Sequence, residues 1–150
     1  MFQRIVVPTD FSDCSQEAWR MAKRLGAGPG SELILAHVLT EVPRFGEGFL
    51  NVQSASEIEA AARKWATVSL EEWVAKARGE GLTARATIRT GVPHQEIVGL
   101  ARDERADLIV IGTHGRGGMD RVLLGSVADR VVRLAPCPVL MVRQAPAPAR

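Results

Sequence analysis

Short apolar runs alternate with amphipathic segments along this chain. Runs of roughly four to eight apolar residues predict buried strands, and apolar residues at three- and four-residue steps predict helices with one buried face. The predicted strands cover residues 4–8, 32–39, 83–90, 107–112 and 138–143. In the third run small apolar residues alternate with arginine and threonine, which is typical of a half-exposed strand at a sheet edge.

Four helices are predicted between these strands. Ser12 or Asp13 can cap the first, because a short polar side chain accepts a hydrogen bond from the N–H groups of the first turn. The second helix is expected from about 56 to 78, and Pro93 suits the first turn of a third that reaches about 105. Ser126 can cap the fourth. Residues 40–55 form the longest irregular connection.

Strand–helix alternation with short links predicts an α/β domain, with a parallel sheet covered by helices on both faces. Ligands of such sheets bind beyond the carboxyl ends of the strands, where the strand order reverses. Residues 1–143 are expected to form this one domain, and residues 144–150, rich in Pro and Ala, a disordered tail.

Composition excludes only a few classes of function. The formal charge of +2 is too small to indicate nucleic-acid binding, and no apolar segment approaches the roughly 20 residues that span a bilayer. The N-terminal residues lack the pattern of a secretory signal, and Cys14 and Cys137 are far apart in sequence. Two such thiols are typical of a reducing compartment, so a cytoplasmic location is expected.

A glycine-rich stretch directly follows the fourth strand. Its pattern is Gly112-x2-Gly115-x9-Gly125-Ser126. Glycines let backbone N–H groups approach an anion closely, and the start of a helix adds partial positive charge. No Gly-Lys-Ser/Thr follows, so this is not a Walker A loop, and the Gly-x-Gly-x-x-Gly spacing of dinucleotide sites is absent. The stretch predicts a phosphate site of another kind.

With these motifs the chain resembles the ATP-binding branch of the universal stress protein family. The resemblance rests on segments 5–12, 35–38, 107–117, 124–127 and 137–142, in this order. It implies a single-domain, five-stranded parallel open sheet of order 3-2-1-4-5, of the Rossmann-like type also called adenine nucleotide alpha hydrolase-like. It also implies ATP as the ligand. Apart from the resemblance, slow hydrolysis with Mg²⁺ bridging the phosphates stays open.

The resemblance further implies which residues bind the nucleotide. Pro8, Thr9 and Asp10 would line the adenosine end. Backbone groups of Val38 would contact the adenine edge, and Gly112 would lie near the ribose. The phosphates would be held by Gly115, Gly125, Ser126 and Val127. Charge alone adds Arg116 and Arg121, because a guanidinium suits phosphate oxygens.

Other interpretations of these residues stay open. The glycines can serve only the tight turn between strand and helix, and Asp10 can cap the first helix. His37 and His114 lie near strand ends, but two histidines without carboxylates make a weak metal site. Cys14 fits a small core residue better than a reactive thiol. Cys137 is expected to be a buried turn residue, and Trp65 and Trp73 are expected to pack a helix on the sheet.

These features favour a binding protein over a dedicated enzyme. No nucleophile with a nearby base, no paired carboxylates and no P-loop lysine can be identified, so at most weak ATP hydrolysis is expected. The leading hypothesis is a cytosolic, nucleotide-dependent stress-response switch read by an unknown protein partner. The alternatives are a homodimeric interaction module without nucleotide and a slow ATPase. Strand 138–143 is apolar yet expected at a sheet edge, which predicts pairing with a second copy.

Overall fold

Strands and helices alternate throughout the computed structural model, which describes residues 1–41, 52–114 and 124–144. The strands are β1 (Arg4–Pro8), β2 (Glu32–Leu39), β3 (Thr83–Thr90), β4 (Leu108–Gly112) and β5 (Val139–Val142). The helices are α1 (Asp13–Leu25), α2 (Val52–Gly79), α3 (Pro93–Asp103) and α4 (Ser126–Leu134). Within these residues no helix combines the length and apolarity needed to cross a membrane.

The five strands form one parallel sheet of order β3-β2-β1-β4-β5, which confirms the predicted fold. From the central strand β1 the chain proceeds outward to β2 and β3, then crosses to β4 and β5 on the other side. The strand order therefore reverses between β1 and β4. At such a point the connections leave in opposite directions and open a crevice at the carboxyl ends of the strands.

Two hydrophobic layers enclose the sheet. Ile5 and Val7 face α1 and α2, whereas the intervening Val6 faces α3 and α4, and all three are fully buried. Because successive side chains of a strand point to opposite faces, a strand buried on both sides must be apolar at every position. This explains the continuous apolar run of β1. The edge strand β3 is largely half-buried, as its alternating sequence predicts.

Several predicted boundaries are wrong by a few residues. Helix α2 begins at Val52 instead of about 56, so the predicted connection 40–55 is shorter, and its residues 42–51 lie outside the described part. Helix α3 ends at Asp103 instead of about 105, because Arg105 adopts a positive φ of 51°. Strand β4 begins at Leu108 instead of Asp107. The Asp107 carboxylate accepts hydrogen bonds from the backbone N–H groups of Gln3 and Arg4.

Four more expectations need correction. Ser126 is the first helical residue of α4, and the extended Gly125 before it is the N-cap. Cys137 is half-buried instead of buried, packed at the margin of the α3–α4 layer. Trp73 packs on the α1–α2 layer as expected, but Trp65 is 50% exposed and contacts the edge of Phe11 instead of the sheet. Strand β5 is shorter by one residue at each end than the predicted 138–143.

Candidate functional site

A cavity of about 490 Å³ lies at the carboxyl ends of β1, β2 and β4, beside the first turns of α3 and α4. Small-molecule sites commonly occupy about 300–1,000 Å³, so a nucleotide-sized ligand fits this space. The position is the one at which the strand order reverses. It therefore follows from the topology of the sheet, before any particular side chain is considered.

The turn after β1 forms one wall of the cavity. Thr9 Oγ1 lies 2.9 Å from Ser15 Oγ, and the Asp10 carboxylate accepts the N–H of Ser12 at 3.0 Å. Ser12 in turn is the N-cap of α1 and accepts the N–H of Ser15. Asp10 therefore does not cap the helix itself. It orders the residue that does, and its own side chain borders the cavity.

The end of β2 forms the second wall. Val38 packs against the layer of α3 and α4, whereas the neighbouring His37 reaches the opposite face and contacts the ring of Phe11. His37 Nδ1 lies 2.8 Å from the carbonyl oxygen of Thr9. Because a carbonyl can only accept, Nδ1 must carry the hydrogen. A side chain of β2 is thus bonded directly to the turn that follows β1.

Gly112, at the end of β4, is packed tightly against α1. A Cβ on Gly112 would lie 3.0 Å from the backbone carbon, the carbonyl oxygen and Sγ of Cys14. Cys14 is buried and donates its thiol hydrogen to the carbonyl oxygen of Val142, with Sγ and that oxygen 3.2 Å apart. It is a core residue, as its sequence context favours. Gly112 therefore lets α1 and β4 approach each other beside the cavity.

The next two residues extend this wall. Thr113 Oγ1 lies 3.0 Å from His114 Nδ1, and Thr113 is itself buried. Within the described residues, Nε2 of His114 is buried without a hydrogen-bond partner. His37 and His114 both border the cavity, but no group of three His, Cys, Asp or Glu side chains among the described residues could hold a metal ion.

The start of α4 forms a further wall of the cavity. The N–H of Gly125 donates to the carbonyl oxygen of Thr113 at 2.7 Å, which joins this helix to the end of β4. Ser126 and Val127 occupy its first turn and border the cavity. The first N–H groups of a helix have no acceptor within the helix and carry partial positive charge. This end of the cavity is therefore suited to an anion.

Eight of the eleven residues predicted to bind nucleotide border this one cavity: Pro8, Thr9, Asp10, Val38, Gly112, Gly125, Ser126 and Val127. The other three, Gly115, Arg116 and Arg121, lie outside the described residues. Pro93 and Ile97 of α3 also border the cavity and were not predicted. Nothing in the sequence distinguishes them from ordinary helix-start and core residues.

Comparison with known proteins agrees with this architecture. Residues 1–143 match the universal stress protein family. The universal stress protein MJ0531 of Methanocaldococcus jannaschii is 39% identical over 149 residues, which cover 96% of this chain and 84% of that relative. The structure of MJ0577 from the same organism superposes with a TM-score of 0.87 at 31% identity, covering 98% of this chain and 99% of that one.

Two further structures contain adenine nucleotides. A universal stress protein in complex with cAMP has a TM-score of 0.68 and 29% identity, with 96% of this chain and 99% of that chain covered. The universal stress protein of Archaeoglobus fulgidus in complex with dAMP has a TM-score of 0.64 and 26% identity, with 93% and 97% covered. The match over nearly the whole length, in sequence and in strand order, shows that this chain belongs to the universal stress protein family.

Proposed function

We propose that this protein binds an adenine nucleotide in the cavity at the carboxyl ends of β1, β2 and β4. The observation that carries the proposal is the polarity of that cavity. Its lining combines the first turn of α4, which favours anions, with the acidic Asp10 and the end of β2. Relatives of the same fold in complex with cAMP and dAMP support an adenine nucleotide as the ligand.

The arrangement supports a definite orientation of the ligand. Asp10 would accept a hydrogen bond from the ribose, and the backbone of Val38 would contact the adenine edge. Pro93, Ile97 and other apolar side chains border the cavity, which suits a flat base. The phosphates would meet the N–H groups of Ser126 and Val127, because anions bind favourably at a helix N-terminus. The N–H of Gly125 is donated to the carbonyl oxygen of Thr113, so Gly125 would contribute only a close approach of its backbone. Gly115 and Arg116 would complete the phosphate site.

We propose that ATP is the physiological nucleotide and that its binding serves signalling. The glycine-rich stretch has no P-loop lysine, so the charge that this residue supplies in phosphoryl-transfer sites is not provided there. Such a site would retain ATP, with Mg²⁺ bridging the phosphates, instead of hydrolysing it quickly. A ligand can order the segments that contact it. A partner protein in the cytoplasm would then recognise whether ATP is bound.

Isothermal titration calorimetry with ATP, ADP, AMP and cAMP, with and without Mg²⁺, tests the proposal. GTP serves as the control for the base, because it carries the same phosphates. We expect saturable binding of ATP and clearly weaker binding of GTP. Absence of heat at millimolar ATP with Mg²⁺ would refute nucleotide binding. Phosphate release at many turnovers per minute would instead favour an ATPase over a switch.

We further propose that the protein is a homodimer paired through β5. Leu140 and Met141 are 36% and 42% exposed on this edge strand, and no other described strand pairs with its outer edge. An apolar edge strand left open promotes aggregation, and pairing across a twofold axis removes that risk. Light scattering should give twice the mass of one chain, and Met141→Lys should give a monomer. Val68→Lys, on the exposed face of α2, is the matched control and should stay dimeric.

A further inference from the structure

The imidazole of His37 makes a contact that nucleotide binding does not by itself explain. Its Nδ1–H donates to the carbonyl oxygen of Thr9 at 2.8 Å, although the two residues are 28 positions apart. The N–H of Thr9 donates to the carbonyl oxygen of Ala36, also at 2.8 Å. Both backbone polar groups of Thr9 are thus held by the end of β2. These two hydrogen bonds hold the turn after β1 against the end of β2, beyond the last paired residues of the two strands.

Thr9 depends on this contact because it is almost completely buried, with 5% of its surface exposed. A buried carbonyl oxygen without a donor is costly, and water cannot readily replace the lost partner. Loss of the imidazole donor would therefore favour rotation of the Thr9–Asp10 peptide toward another partner. The Asp10 carboxylate would move with that peptide.

Phe11 holds the imidazole in place and is itself unusual. Its φ of 63° lies in the left-handed region, which bulky side chains rarely adopt. Such a conformation persists only when the surroundings determine it strongly, and it occurs preferentially at functional sites. The N–H of Phe11 donates to Thr9 Oγ1 at 2.9 Å, and its ring lies 5.0 Å from the imidazole of His37. Trp65 and Trp73 also contact this ring, with centroid distances of 4.8 and 5.7 Å.

We propose that His37 is a positioning residue for the nucleoside end of the cavity. It holds the Thr9 carbonyl and so fixes the direction in which Asp10 presents its carboxylate to the ribose. His37 acts through Thr9 and needs no contact with the ligand. The inference rests on the proposed nucleotide binding. It assigns a role to a histidine that the sequence connects only with a weak metal site.

Two substitutions of His37 separate this role from general packing. In His37→Asn the amide nitrogen takes nearly the position of Nδ1 and can still donate to Thr9, whereas His37→Leu keeps an apolar side chain without a donor. His94→Leu is the matched control, because His94 lies in the first turn of α3 outside the cavity lining. Affinities for AMP and for inorganic tripolyphosphate are measured by calorimetry at a temperature where circular dichroism shows every variant folded.

The ratio of the two affinities is the decisive readout. We expect His37→Leu to weaken AMP binding about tenfold, the effect of leaving one buried acceptor without a donor, and to leave tripolyphosphate binding unchanged. His37→Asn should recover most of the AMP affinity. A merely structural role would lower thermal stability and change both ligands together, or neither.

A spectroscopic measurement covers the case in which His37→Leu does not fold. Long-range ¹H–¹⁵N correlation spectra of the wild-type protein should show neutral His37 as the Nδ1–H tautomer. An Nε2–H tautomer would overturn the proposal, and so would equal AMP affinity of His37→Leu and wild type. If wild type binds no adenine nucleotide at all, the proposed function fails, and the positioning role fails with it.

Discussion

The glycine before α4 offers a sharp test of how the phosphate end of the cavity is built. In Gly125→Ala the added Cβ would lie 2.9 Å from the carbonyl oxygen of Thr113, the same oxygen that accepts the N–H of Gly125 at 2.7 Å. The backbone angles, φ −59° and ψ 147°, are ordinary for alanine. The cost is therefore steric, and either α4 or the end of β4 must move.

The expected magnitudes follow from this contact. Overpacking beside backbone costs about 1–3 kcal/mol. Alanine is also a slightly poorer N-cap than glycine, and we expect a total loss of about 2 kcal/mol in the free energy of unfolding. For a chain of this length that lowers Tm by about 4–8 °C. A displaced first turn also loses hydrogen bonds to phosphate, each worth about 1.5–3 kcal/mol, so the Kd for ATP should rise at least tenfold.

Gly99→Ala is the matched control for this experiment. Gly99 lies inside α3, and the nearest atom that its Cβ would meet is Nη1 of Arg89 at 3.8 Å, an ordinary contact. Alanine in a helix interior should stabilise the fold by about 0.5–1 kcal/mol and leave ATP affinity unchanged. Urea unfolding at 25 °C measures stability and calorimetry measures affinity. If Gly125→Ala behaves like Gly99→Ala in both assays, the packing argument is refuted.

Two further predictions concern the opposite end of the sheet. Burial lowers the pKa of Arg85, but its hydrogen bonds to Glu104 and Glu32 outweigh this and raise it, so the guanidinium stays charged. Because the side chain is 36% exposed and therefore screened, Arg85→Ala should cost only about 1 kcal/mol in urea unfolding. An equal loss in 1 M salt, where exposed ion pairs are screened, would contradict this electrostatic origin. Burial and then the charge of Asp107 raise the pKa of the Cys137 thiol, so less thiolate is present at pH 8 than in the unfolded chain. Alkylation by iodoacetamide, followed by mass spectrometry, should be severalfold slower in the folded protein and accelerate above pH 9. Equal rates in folded and urea-unfolded chains would show the prediction to be wrong.

Hydrophobic pattern predicts the fold well because burial on both faces of a parallel sheet leaves a clear signal. Ile5, Val6 and Val7 are all fully buried, and the alternation in β3 correctly indicates an edge strand. The start of α2 was predicted about four residues too late because the sequence gives no clear signal there. The missed residues, 52–55, span only one turn, which is too short to show the three- and four-residue apolar spacing of a helix face.

Local chemistry was less decisive at the start of α4. Glycine and serine are both accepted as N-caps, so Gly125-Ser126 alone cannot show which residue is the cap. The hydrogen bond from Gly125 to Thr113 decides it, and Thr113 is distant enough in sequence that its contact could not be foreseen. The same holds for His37, whose bond to Thr9 depends on the parallel pairing of β1 with β2.

The glycine motif is weaker evidence for a ligand than its sequence suggests. Gly112 and Gly125 each lie in tight packing contacts of the protein itself, against Cys14 and Thr113, whether or not a nucleotide binds. Their substitution therefore disturbs the fold together with the site. Ser126 differs, because it is exposed, and its hydroxyl makes no hydrogen bond to any described residue.

Ser126→Ala is therefore the variant that tests ligand binding without disturbing the fold. It removes one donor at the first helical position of α4, where alanine is slightly the better helix former, so the free energy of unfolding should stay the same or rise slightly. If the hydroxyl binds a phosphate oxygen, the Kd for ATP should rise about tenfold, since a hydrogen bond to a charged group contributes about 1.5–3 kcal/mol. Adenosine, which has no phosphate, should bind wild type and variant equally. Equal ATP affinity in calorimetry would remove Ser126 from the phosphate site, and a matching loss for adenosine would show that the hydroxyl acts elsewhere in the cavity.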